Sequence, residues 1–161
     1  GNDPPAGEID LDPLWGDELP RLESLHVAAK TLRPGSLASK TLRELNLDGD
    51  VEPKQLAPLL KMSAPGLTSL TLVELSTPHA FFRDLVRSPL ASKLTTLAVS
   101  GDAIDPATAT ILTDHANALA GIASLTLPFA DAAALAAIKK KLPKASFSPQ
   151  RDPSRYVQSG E

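Results

Sequence analysis

The sequence predicts an α/β solenoid: a parallel sheet backed by helices, built from about five to six repeats. Three observations predict it. A short apolar pattern recurs along the chain, its copies are spaced like one strand plus one helix, and the apolar residues are mostly Leu and Ala rather than aromatic. Aromatic residues make up only 4% of the chain although 42% is hydrophobic. That choice suits a thin core a few side chains deep, because a wide globule usually fills its centre with rings.

The recurring pattern is apolar, two variable residues, apolar, one variable residue, apolar. It reads Leu22-Leu25-Val27, then Leu42-Leu45-Leu47, Leu67-Leu70-Leu72, Leu94-Leu97-Val99 and Ile122-Leu125-Leu127. A degenerate sixth copy is Leu142-Ala145-Phe147. From Leu22 to Leu142 the first positions step by 20, 25, 27, 28 and 20 residues. One such fragment arises easily by chance, whereas five good copies at this spacing form a strong signal. In each copy the fourth and sixth residues alternate, so both point to one face of a strand and the residue between them to the other. Strands joined through helices run parallel. Each repeat then buries its apolar row only against its neighbours.

On these motifs the chain resembles leucine-rich-repeat proteins over roughly residues 20–147, and its longer repeats resemble the ribonuclease-inhibitor-like subtype. That family continues each strand with Asn or Cys and then another apolar residue. Asp102 and Ile104 occupy those places in the fourth copy, and Asp50 occupies the polar place in the second, with Val51 one residue early. The third and fifth copies depart, offering Leu75 and Ala130. The resemblance therefore implies a curved sheet with the helices on its convex side, a partial polar ladder and irregular turns after those strands.

The segments between strands read as helices of unequal length. Residues 52–62 carry Pro53 near their start, where a helix tolerates it, and contain Pro58, which keeps the helix short or bent. Thr77 precedes Pro78, and residues 79–87 carry one apolar stripe of Phe81, Phe82, Leu85 and Val86. Asp105 is a candidate N-cap for a helix running to Gly121. Asp131 caps another that ends near Lys139, Lys140 and Lys141, where cations suit the helix dipole. The first linker, residues 28–41, holds Pro34 and Gly35 and is expected to be an irregular turn. A further copy around Ile9 and Leu11 is too short to count.

Three segments follow from this: an acidic arm or cap over residues 1–19, the repeats over 20–147, and a tail over 148–161 rich in Pro, Ser and Arg. Leu14, Trp15 and Leu19 are expected to cover the first repeat, while Tyr156 and Val157 are the anchors of the tail. The arm holds Asp3, Glu8, Asp10, Asp12, Asp17 and Glu18 with no Lys or Arg. Lys139, Lys140, Lys141, Lys144, Arg151 and Arg155 lie towards the other end. Two solvated ends of opposite sign explain this most simply, and a head-to-tail contact between copies is the sharper reading. Gly1 reads as a tag remnant or the start of an excised fragment.

Several classes of chemistry lack support. A net charge of -3 makes no electrostatic case for nucleic acid. The absence of Cys excludes disulfides, thiolate metal sites and cysteine nucleophiles. No apolar run approaches the roughly 20 residues of a membrane helix. His26, His79 and His115 form no metal motif, and Gly49 and Gly101 read as turn glycines, not phosphate loops. The Asp48-Gly49-Asp50 and Gly101-Asp102 stretches offer too few oxygens for calcium. His26, Asp48 and Ser69 fall on adjacent predicted strands, but a sheet face offers them neither an oxyanion hole nor a lid.

The resemblance implies that the variable strand positions line an exposed, concave face that binds a partner protein. By copy these are Ser24, His26 and Ala28; Glu44, Asn46 and Asp48; Ser69, Thr71 and Val73; Thr96, Ala98 and Ser100; and Ser124, Thr126 and Pro128. Lys144, Ser146 and Ser148 close the row. The expected binding set is His26, Glu44, Asn46, Asp48, Ser69, Thr71, Thr96, Ser100, Ser124 and Thr126. Ser, Thr and Ala dominate, and the Trp, Tyr and Arg that usually anchor interfaces are missing. Glu44 and Asp48 beside His26 form its most distinctive spot. The expected function is a non-enzymatic protein–protein interaction module without cofactor or metal. The alternative is a structural or oligomerisation segment of a larger repeat protein that associates with itself. The compartment is left open with a lean to the cytoplasm, and the lack of Cys with abundant Ala and Pro is compatible with a bacterial origin.

Overall fold

The computed structural model describes residues 8–11, 13, 15 and 21–149. Among these residues seven strands form a single parallel sheet in which spatial order equals chain order. They are β1 (Glu8–Asp10), β2 (Ser24–Arg33), β3 (Glu44–Asp50), β4 (Ser69–Leu75), β5 (Thr96–Gly101), β6 (Ser124–Leu127) and β7 (Ser146–Phe147). Every connection advances by one place, which is the expected consequence of repeats that bury their apolar rows only against their neighbours.

The recurring apolar residues make the core. Leu45, Leu47, Leu70, Leu72, Leu97, Val99, Leu125 and Leu127 are all buried, in register across neighbouring strands. The first position of each copy also turns inward, as Leu42, Leu67, Leu94, Ile122 and Leu142 show. A repeating backbone bond locks the repeats one to the next. Glu23 O accepts from the N–H groups of Arg43 and Glu44, Arg43 O from Thr68 and Ser69, and Thr68 O from Thr95 and Thr96.

The helices form a second layer over the buried face. They are α1 (Ala57–Leu60), α2 (Pro78–Leu85), α3 (Leu90–Lys93), α4 (Pro106–Asp114), α5 (Ala116–Leu119) and α6 (Ala132–Lys141). A 3-10 turn, Pro53–Leu56, leads into α1, with Glu52 and Gln55 forming a reciprocal capping box. α1 is short, and Pro58 sits in its first turn, where the missing N–H is tolerated. Phe81 and Phe82 of α2 are fully buried, edge to face at 5.3 Å and 72°. Asp105 and Asp131 cap α4 and α6, accepting from Thr108 N at 2.7 Å and Ala134 N at 2.8 Å.

Some expectations need correction. The first linker is not all turn: β2 continues through Arg33 before the turn at Pro34 and Gly35, because residues 31–33 pair with β1. The copy too short to count, near Ile9, is the strand β1, with Leu11 buried behind it. The helix expected up to Gly121 breaks at His115 into α4 and α5. The short α3 lies where no helix was expected, held by Ser88, whose hydroxyl donates to Leu60 O and accepts from Leu90 N. Trp15 packs into the core, and its Nε1 donates to Pro34 O at 2.6 Å. Leu14, Leu19, Tyr156 and Val157 lie outside the described residues.

Two strands carry a matching irregularity. Ala28 pairs with Asp48 and Thr31 with Asp50, so β2 spends one more residue than β3. Leu72 pairs with Val99 and Leu75 with Gly101, so β4 does the same against β5. Gly49, at φ +154°, stands opposite the first bulge, and Gly101, at +142°, pairs with Leu75 just after the second. A Cβ on Gly49 would lie 1.9 Å from Ala29 O, and one on Gly101 2.2 Å from Leu75 O. Only glycine fits there.

Candidate functional site

The face of the sheet turned away from the helices is the candidate site. The register sorts its side chains into rows running across the strands. One row is Ser24, Glu44, Ser69, Thr96 and Ser124. The next is His26, Asn46, Thr71, Ala98, Thr126 and Ser146, spanning six strands or about 24 Å at the usual interstrand spacing. The third begins Ala28, Asp48 and Val73, and strand alternation puts Ser100 in line with it. All ten residues of the expected binding set therefore share one face of one sheet.

The face is polar but sparsely bonded. Ser24 Oγ donates to Glu44 Oε1 at 2.8 Å in solvent. His26, Glu44 and Ser124 are exposed, whereas Asn46, Asp48, Ser69, Thr71, Thr96, Ser100 and Thr126 are half-buried by their neighbours across the sheet. Pro128, expected to continue the third row, is instead buried where the chain leaves β6. From β2 to β6 the three rows contain no Lys or Arg, and Lys144 stands only at the far end of the first, so Glu44 and Asp48 give the face an acidic character near β3.

Asn46 stands out. Its Oδ1 is buried and has no hydrogen-bond partner, although the residue sits on the open face between His26 and Thr71. A buried acceptor left unmade costs about 1–3 kcal/mol. The sequence carries no signal that distinguishes Asn46 from Thr71 or Thr126, since all three are small polar residues at the same repeat position.

His26, Asp48 and Ser69 fall in three different rows. Standard sheet spacings put the His26 and Ser69 Cα atoms roughly 12 Å apart, and no hydrogen bond joins the three. Their arrangement does not assemble a nucleophile, base and acid. Among the described residues no three His, Asp or Glu side chains come together as a metal site. No described helix is long and apolar enough to cross a membrane.

The turns after the strands use the family-like polar positions on the surface. Asp50 Oδ1 accepts from Ser76 Oγ, and Asp102 Oδ2 accepts from Thr77 N, each at 3.3 Å. Both carboxylates are exposed, so they tie neighbouring turns together and do not form a buried ladder. The Asp105 carboxyl is held below its ordinary value of 3.8. The nearby Thr108 hydroxyl contributes most, although it lies short of full hydrogen-bond geometry, and the bonded Thr108 N–H follows.

Compared with known protein families, with curated proteins and with solved structures, the chain matches none.

Proposed function

We propose that the chain is a leucine-rich-repeat module that binds a partner protein across the open face of its sheet. The observation that carries this reading is the common placement of the ten variable strand residues in three aligned rows on one continuous surface. The recurring motif supports the repeat type, because its apolar positions are the ones that fill the core. A partner protein suits the face better than nucleic acid does: from β2 to β6 the rows hold carboxylates and small hydroxyls but no Lys or Arg. Short side chains leave the backbone of the sheet accessible to a partner's loop or helix. The unpartnered Asn46 Oδ1 adds an acceptor that a partner's N–H can satisfy after a small side-chain rotation.

The test compares capture from a lysate of the source cell by the wild-type chain and by the double variant Glu44→Arg, Thr71→Arg. Both changes lie on the face and away from the core. A protein retained by the wild type and lost by a folded double variant is the expected result. Equal capture by both chains rejects the open face as the binding surface.

A further inference from the structure

In the helix layer, on the other side of the sheet from the open face, two successive repeats enclose a hollow of about 360 Å³. It lies in the middle of the stack, where α1 ends and where α2 gives way to α3. Its apolar walls are Ala57 and Leu60 from one repeat and Pro89 from the next. Ser88 also lines it and ties the two repeats together, its hydroxyl donating to Leu60 O and accepting from Leu90 N. Ligand pockets span roughly 300–1,000 Å³. This one is at the small end, with room for a branched apolar side chain and the backbone that carries it.

The charged part of the lining is positive. Lys61, the C-cap of α1, and Arg87, just past the end of α2, are both exposed. Among the described residues neither side chain makes a hydrogen bond or an ion pair. The one opposing charge in the lining is Asp84, and Arg83 Nε already holds its carboxylate at 3.1 Å. Lys40, in the turn that enters β3, and Lys93, which ends α3, are exposed as well. Cations at helix ends suit the helix dipole, but the dipole calls for no apolar hollow between them.

Shape and charge together select the occupant. Two cations are too few to follow a phosphate backbone, and no aromatic side chain lines the hollow to stack on a base. A lipid surface lies across a hollow without entering it. A peptide can place an apolar side chain between Leu60 and Pro89 and set carboxylates beside Lys61 and Arg87.

We propose that this hollow is a second docking site, separate from the open face, for a partner's short acidic segment with an apolar residue between two carboxylates. The test is a titration of the whole chain, followed by amide NMR shifts, with the peptide acetyl-Gly-Glu-Leu-Glu-Gly-amide. One control peptide carries Ala for Leu, and another carries Lys for both Glu. Saturable shifts should appear at residues 57–61 and 84–89, with half-saturation on the order of 1 mM, and weaken at high salt. Lys61→Glu and Arg87→Glu should each weaken binding about three- to tenfold, with circular dichroism checking that each variant folds. The Lys peptide should not bind there, and the Ala peptide should bind more weakly. The absence of a saturable shift, equal binding of the Ala peptide, or binding indifferent to both substitutions would overturn the proposal. So would shifts spread equally to Lys139, Lys140 and Lys141, or a DNA duplex that moves the same amides more strongly than the peptide. None of these outcomes bears on the open face, which the capture experiment tests by itself.

Discussion

At the scale of single residues, backbone geometry decides more than side-chain chemistry. Gly49 faces a bulge on the preceding strand and Gly101 pairs with the residue just after one, both at positive φ, with a neighbouring carbonyl inside van der Waals distance of any added Cβ. We expect Gly49→Ala or Gly101→Ala to destabilise the fold by about 2–4 kcal/mol in chemical denaturation, as strain and a clash combine. Gly121→Ala, where nothing lies within 4 Å, should change stability by less than about 1 kcal/mol. Equal effects at all three sites would remove the bulge argument. Asp105 makes the second prediction. Its Ala variant should lose about 0.5–2 kcal/mol at neutral pH, as N-caps do. Because the folded carboxyl titrates below its ordinary value, this contribution is present above about pH 4 and fades as pH falls through the lower folded value. Thermal melts of both chains should therefore converge towards pH 2, and a gap that persists there would contradict the assignment. Asn46 makes the third. Replacing it with Thr, the residue of its row in β4 and β6, removes an unsatisfied acceptor and should leave stability unchanged or raise it by up to about 1 kcal/mol. A loss larger than that means Asn46 has a structural partner.

At the scale of elements, the strands were legible and their ends were not. The alternation in copies such as Leu45 and Leu47 names both the strand and its buried face, because a two-residue period leaves no other choice. The extension of β2 to Arg33 escaped this reasoning. A bulge at residues 29–30 resets the alternation, and the strand's partner there is β1, whose three residues carry too little pattern to recognise. The helix layer divides in the same way. The stripe through Phe81, Phe82 and Leu85 and the caps at Asp105 and Asp131 announce α2, α4 and α6. The four-residue α3 and the break at His115 have no such markers, since tertiary contacts set one-turn helices. The candidate face was legible for the same reason as the strands, except at Pro128, where the chain turns inward just past β6. The buried Phe pair supplies the prediction at this scale. Phe82→Ala should cost about 3–5 kcal/mol, because its ring is fully enclosed and the short helices around it have little else to close the cavity. A loss under 1 kcal/mol in denaturant titration would mean that the helix layer repacks freely.

At the scale of the whole molecule, stability runs along one dimension. Each repeat touches its neighbours, so the middle of the stack is supported on both sides and the ends on one. Amide hydrogen exchange should find β3, β4 and β5 most protected and the terminal strands β1 and β7 least. Uniform protection would point to a single cooperative core. The same geometry leaves one long, shallow, acidic-to-neutral surface free for a partner while the helices bury the other side. The proposal that a partner protein binds that surface is tested most directly by site-specific photo-crosslinking. A crosslinking residue is placed at Thr71, in the middle row of the open face, or at Thr110, exposed on α4 in the helix layer. Irradiation in a lysate of the source cell should join a distinct protein to the chain from position 71 and not from position 110. A partner trapped from position 110 alone, or equally from both, would contradict binding through the open face.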